Sequence, residues 1–232
     1  MLGIGRRQSG GDPYFSSVVL QALNESGADG GTTFDDQSTP DHALTANGNV
    51  QWDDASAPTG LTSSGLFDGT GDFISATDSD DWTLTADLTV EFFFRSTQTL
   101  AFAAPMWQHA SGTGWGFAFN SATGNGRMAL WHSTFSTSIP IVLGTTDLGD
   151  GAWHHVAATA ASDVWNIWIN GTSEANRTAS FVRTNFTHAF MIGRQSGLSR
   201  DFDGHIAAVR ITKGVARYTG TFTPPTLPYP TS

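Results

Sequence analysis

Apolar residues along this chain come in short bursts, and Gly, Asn, Asp, Ser and Pro fill the gaps between them. That rhythm belongs to strands and turns, as in a sandwich or barrel, and not to the longer period of helices. Strands are predicted at Ser17–Leu23, Gly65–Asp68, Phe73–Ala76, Leu88–Arg95, Ala104–His109, Gly114–Asn120, Arg127–His132, Trp153–Ala160, Val164–Ile169, Phe190–Gly193 and Gly204–Ile211. In Leu88–Arg95 the set Leu88, Val90, Phe92, Phe94 alternates with Thr89, Glu91, Phe93, Arg95, so the first set faces the core. Phe93 interrupts the polar set, which predicts that the opposite face is covered as well. The predicted core is Val90, Phe92, Phe94, Trp153, Val156, Ile167, Ile169, Ile206 and Val209, with Trp165 beside it. Strict alternation would put Ile206 and Val209 on opposite faces, so this assignment requires a bulge or a second covering layer. Asn170-Gly171 predicts a tight hairpin, because both residues tolerate positive φ, and Gly124-Asn125-Gly126 plays a similar part. A short turn near Lys213–Tyr218 is the only helix expected.

Length and composition narrow the classes. The 232 residues suit a single β sandwich. Three segments are expected: a glycine-rich flexible arm at 1–11, the sandwich at 12–220, and a Pro-rich extended tail at 221–232. The net charge is −10 and Lys213 is the only lysine, which disfavours a nucleic-acid partner. The absence of cysteine removes disulfides, thiolate nucleophiles and zinc–cysteine sites. Arg6-Arg7 is not followed by an apolar run, so neither a secretory signal nor membrane insertion is expected.

Several stretches then combine. Phe67-Asp68-Gly69-Thr70-Gly71-Asp72-Phe73-Ile74, the strand Leu88–Arg95, Gly151-Ala152-Trp153-His154-His155-Val156-Ala157, Ile167-Trp168-Ile169-Asn170-Gly171 and Phe202-Asp203-Gly204-His205-Ile206 through Ile211 follow one another in a familiar order. In these the chain resembles the laminin G-like, concanavalin A-like lectin-glucanase jelly rolls. The ending, Thr212–Tyr218 followed by Phe222-Thr223-Pro224-Pro225, is similar to that of examples from tailed-bacteriophage virion proteins. The resemblance implies an all-β fold of two antiparallel sheets with little helix. Ala207-Ala208 stands where the family often carries Asp-Glu, and Asn170 where it carries Asp.

The candidate chemistry is sparse. Glycoside hydrolysis needs two carboxylates in one cleft. The chain has only Glu25, Glu91 and Glu174, at unrelated positions, so no catalytic residue is assigned and no enzyme is expected. Glu91 reads as a strand carboxylate paired with a residue such as Arg95. His154 and His155 are adjacent on a strand and point apart, so they cannot share a metal; one is expected inside and one outside. Asp78, Asp80 and Asp81 form a loop rich in the oxygens calcium favours, though turn-capping carboxylates read the same way, and no cofactor is required otherwise. Aromatics mixed with small polar groups suit a sugar. Trp107, His109, Trp115 and Trp131 are the glycan-binding candidates, and each also suits a packed loop.

The function expected from the resemblance is a non-enzymatic virion structural protein of a tailed phage: a capsid decoration, tail or fibre component. It would be assembled in the bacterial host cytoplasm. Its partners would be other virion proteins, copies of itself through its termini and one sheet face, and host surface glycans. A carbohydrate-binding module of a bacterial surface or secreted protein is the alternative, and a glycan hydrolase the less favoured one.

Overall fold

The computed structural model describes residues 11–98, 102–110, 112–119, 126–196 and 200–232. Two antiparallel sheets carry the fold. The larger runs, from edge to edge, β13 (Thr172–Thr178), β12 (Val164–Ile169), β11 (Trp153–Ala161), β6 (Leu88–Arg95), β17 (Asp203–Lys213), β4 (Ser64–Asp68) and β3 (Gln51–Asp53), with β1 (Val18–Ala22) also paired to β17. The second runs β10 (Val142–Leu143), β9 (Met128–His132), β8 (Thr113–Phe119), β7 (Met106–Ala110), β14 (Phe190–Ile192), β5 (Phe73–Ala76) and β2 (Leu44–Asn47). A short ribbon, β15 (Arg194–Gln195) with β16 (Arg200–Asp201), stands beside the second sheet. This is the all-β jelly-roll sandwich expected from the sequence.

The alternation in β6 decides the main core. Val90, Phe92 and Phe94 are fully buried between the sheets, where Phe92 meets Phe117 edge-on and Phe94 lies against Phe119 and Phe202. Ile206 and Val209 both reach this core, because β17 carries a bulge between Ala207 and Arg210. Ala208 takes φ +50° there and turns to the outer face. Asn170 and Gly171 adopt φ 49° and 82° between the paired residues Ile169 and Thr172, which is the predicted two-residue hairpin. The Gly124-Asn125-Gly126 turn falls largely outside the described residues, and so does the arm expected at 1–11.

Four expectations are corrected. Trp153 is half-buried and not a core residue: β11 pairs with β6 without a bulge, so Trp153 and Val156 take opposite faces. His154 and His155 are both buried, because both faces of β11 are covered. Glu91 pairs with Arg210, its neighbour on β17, and Arg95 instead donates to the Gly151 carbonyl and to Ser56. The segment after Lys213 is extended rather than helical. Thr89 Oγ1 donates to the Val215 carbonyl and accepts from Arg217 N–H, and so takes up backbone groups a helical turn would use. The helical turns lie elsewhere, as 3₁₀ turns at Phe15–Ser17 and Asp80–Trp82.

The outer face of the larger sheet is covered by the chain's own end. The Pro-rich tail docks back onto this sheet. Leu227 and Tyr229 pack with Ala208, and Phe93 and Leu61 lie against them. Asn24 bridges both backbone groups of Tyr229, and Asp12 N–H donates to the Ser232 carbonyl. Gly171 is required for this closure, since a Cβ there would collide with the Phe222 carbonyl oxygen. Beneath the tail, Glu91 accepts from Arg210 Nε and Nη2 on one oxygen and from His155 Nε2 and Tyr218 OH on the other. Asp12 joins Arg210 to Arg217, and the Tyr229 ring lies 3.7 Å from the Arg210 guanidinium. Burial opposes ionisation of Glu91, but the Arg210 charge and the donated hydrogen bonds outweigh it and hold its carboxyl well below the usual range.

Candidate functional site

Among the described residues nothing comparable covers the outer face of the second sheet, which carries a cleft of about 170 Å³. That is below the ~300–1,000 Å³ of pockets that enclose a drug-sized ligand, so an occupant lies on the face rather than inside it. Three adjacent strands build the cleft. Trp107 on β7 lies opposite Gly116 on β8, and Gly116 lies opposite Trp131 on β9. Alternation along β8 sends Trp115, Phe117 and Phe119 into the core and leaves Gly114, Gly116 and Ala118 outside. The floor is therefore almost bare backbone between two indoles. The Trp107 indole packs over Gly116, and the open part of the floor is Gly112 and Gly114, where a Cβ on Gly114 would collide with the Gln108 carbonyl oxygen.

The rim adds polar groups. His109 follows Trp107 on the same face of β7, and its Nδ1 meets the Ser196 carbonyl at 3.0 Å. Burial pushes the His109 imidazole down, which keeps it neutral near pH 7. Phe102 packs on Trp131, and the Arg200 guanidinium from β16 lies 4.2 Å from the Phe102 ring while donating through Nη1 to Gln195 Oε1. Burial opposes the Arg200 charge. Ser133, Ser136 and Thr137 supply hydroxyls on the far side. Neither Trp107 nor Trp131 has a hydrogen-bond partner for its indole N–H among the described residues. A second depression, sharing Gly112, Ser133 and Thr137 with the first, continues past Thr113, Asn185 and His188. Among the described residues, no Asp or Glu lines either one.

Of the four aromatic candidates, the structure brings Trp107, His109 and Trp131 together. Trp115 is separated from them. Its alternation position points it inward, where it is fully buried and its indole N–H donates to the Trp82 carbonyl and to Gln108. Phe102, Gln195, Arg200 and the glycine floor lie outside the sequence-based candidates. The glycines carry a legible signal, because Gly114, Gly116 and Ala118 alternate with three aromatics. Arg200 carries none, since its place depends on a ribbon folded across the sheet.

The aspartate loop does not converge. Asp81 meets His42 Nε2 at 3.0 Å, Asp80 accepts from Asn185, and Asp78 faces Gln108, so each carboxylate has its own partner. The carboxylates that approach one another are Asp29, Asp53 and Asp54, and of these Asp53 is held by His205. No helix among the described residues is long and apolar enough to cross a membrane.

The two packed antiparallel sheets define a jelly-roll sandwich. Residues 68–217 match the family described as the concanavalin A-like lectin/glucanases superfamily, in its laminin G branch, and the chain belongs to that family. No curated protein sequence matches the chain. Among solved structures it is similar to the binding domain of Paraclostridial Mosquitocidal Protein 1, at 12% identity and a TM-score of 0.67, over 88% of this chain and 50% of that one. It is also similar to domain 4 of AbnA, an extracellular arabinanase from Geobacillus stearothermophilus, at 16% identity and a TM-score of 0.63, over 86% and 95%. The receptor-binding domain of botulinum neurotoxin C/D mosaic serotype follows, at 14% identity and 0.60, over 85% and 48%. The chain thus spans about half the length of these toxin domains and nearly all of the arabinanase domain.

Proposed function

We propose that this protein is a non-enzymatic glycan-binding domain and that the cleft lined by Trp107, Gly114 and Trp131 is where the glycan sits. One observation carries the reading: Trp107, Trp131 and His109 meet a glycine floor at Gly112 and Gly114, with hydroxyl and amide groups around the rim. A pyranose offers apolar C–H faces and peripheral hydroxyls, and this arrangement meets both. Among the described residues, the cleft carries no carboxylate pair of the kind glycoside hydrolysis uses. Glu91 is committed to Arg210, and Glu174 accepts from the backbone of Thr145 and Thr146. The similar arabinanase domain was solved in complex with arabinotriose, which supports a saccharide ligand for this architecture.

The setting we propose is the virion of a tailed phage, supported by the resemblance of the Thr212–Pro225 ending to phage examples. A glycan array probed with the purified protein, and repeated with Trp107→Ala and Trp131→Ala, tests the cleft. Retention of glycan by both folded variants would refute it. Mass spectrometry of purified particles tests the setting, and absence of the protein from them would refute that part.

A further inference from the structure

We infer that the cleft selects acidic glycans, with Arg200 receiving a carboxylate carried by the sugar. This rests on the reading of the cleft as a glycan site and names the ligand class. The charge distribution carries it. The chain holds 21 Asp and Glu against 11 Lys and Arg, yet among the described residues no acidic side chain lines the cleft or its continuation. The ionisable groups that do line them are Arg200, His109 and His188, none of which bears negative charge. Among the described residues, no carboxylate stands within ion-pairing distance of Arg200; Arg183, Arg194, Arg210 and Arg217 each have one, and Arg95, Arg127 and Arg177, also without one, donate to backbone carbonyls instead. Gln195 and the Phe102 ring hold the Arg200 guanidinium in place, and both are neutral.

The geometry suits reception of an anion. Stacking on Phe102 fixes the guanidinium plane, and Gln195 fixes one end of it, so little side-chain freedom remains to be lost on binding. A guanidinium presents a planar fork of donors that matches a carboxylate. Burial opposes the Arg200 charge, and an incoming carboxylate would restore a charged partner to it. The neighbouring rim, from Thr113 and Ser133 to Thr137, is polar and uncharged, which suits the hydroxyls of a second sugar unit. The class is therefore an oligosaccharide in which a carboxylate-bearing residue lies near Arg200 and a neutral residue extends toward His188.

The test compares paired ligands. Uronate- and sialate-terminated glycans are arrayed beside counterparts whose carboxylate is methyl-esterified, and are bound to wild type, Arg200→Gln, Arg200→Lys and Trp107→Ala. Wild type should favour at least one acid form over its ester by about 10- to 100-fold, the size of a charged hydrogen-bonded contact. Arg200→Gln should collapse that ratio to near one, and Arg200→Lys should keep part of it. Addition of salt should narrow the wild-type ratio. Acid and ester bound equally, or no acidic glycan bound at all, would overturn the inference. A ratio that survives in folded Arg200→Gln would overturn the role of Arg200. Sensitivity to Trp107→Ala without any acid preference would sink the inference while leaving the cleft as the glycan site, and insensitivity to Trp107→Ala would sink the cleft itself.

Discussion

Glu91→Gln isolates what the buried ion pair contributes while keeping the side chain's shape. Glu91 is fully buried, and four donated hydrogen bonds converge on its two oxygens: Arg210 Nε at 2.9 Å and Nη2 at 2.7 Å, His155 Nε2 at 3.0 Å, and Tyr218 OH at 2.7 Å. An amide supplies one acceptor and one donor group, so whichever way the substituted side chain turned, its NH₂ would face donors. Arg210 would also keep its charge in a buried site with only Asp12, 3.2 Å from Nη1, to balance it. Breaking one side of such a pair costs about 3–5 kcal/mol, and the surviving Asp12 contact places this case near the lower end. Urea unfolding at pH 7 measures it. A loss below about 1 kcal/mol would show that the network is not coupled to folding in this way. The double variant Glu91→Met/Arg210→Met should lose less than Glu91→Gln, because no charge is stranded. The pH dependence has a defined sign. The Glu91 carboxyl is lowered in the fold, so its contribution is present above about pH 4.5, where the unfolded group is ionised, and is lost on further acidification. Glu91→Gln should flatten that part of the acid limb.

Three further outcomes are expected. Phe92→Ala should cost about 3–5 kcal/mol in the same assay, since it empties a fully buried site against Phe94 and Phe117; a loss under about 1 kcal/mol would remove Phe92 from the core. Burial and the nearby Arg183 push the His132 imidazole down to about 4, so stability should fall as pH drops from about 6.5 towards 4; His132→Gln should reduce that slope, measured as melting temperature against pH, and an unchanged slope would contradict it. Removing residues 221–232 should destabilise the domain by several kcal/mol, because it uncovers Phe93, Ala208 and the Arg210 network at once. A truncated chain with an unchanged melting temperature would show that the tail is an independent appendage.

Local pattern alone was enough for the all-β class and much of the strand map, while the two-sheet jelly roll came from the family resemblance. Three strands, at Phe73–Ala76, Leu88–Arg95 and Val164–Ile169, are legible to their last residue, because period-two alternation and the Asn170-Gly171 turn are local properties. Strands without that alternation are not. β13, Thr172–Thr178, is a polar edge strand whose pairing depends on β12 rather than on any apolar face of its own. Local reasoning also required a bulge for Ile206 and Val209, and β17 supplies one. What each face meets was settled in three dimensions. The tail turned the outward side of β11 into an interior, which buried His155, while the pairing of β17 with β6 gave Glu91 its Arg210 and the segment after β17 gave it Tyr218. The cleft has the same origin. Trp107, Trp131 and Arg200 lie on β7, β9 and β16, and only the pairing of β7, β8 and β9 with the folding-over of the β15–β16 ribbon brings them to one place. Side-chain type and period are written residue by residue, whereas a binding surface is a relation between strands distant in the chain, fixed only when the sheets close.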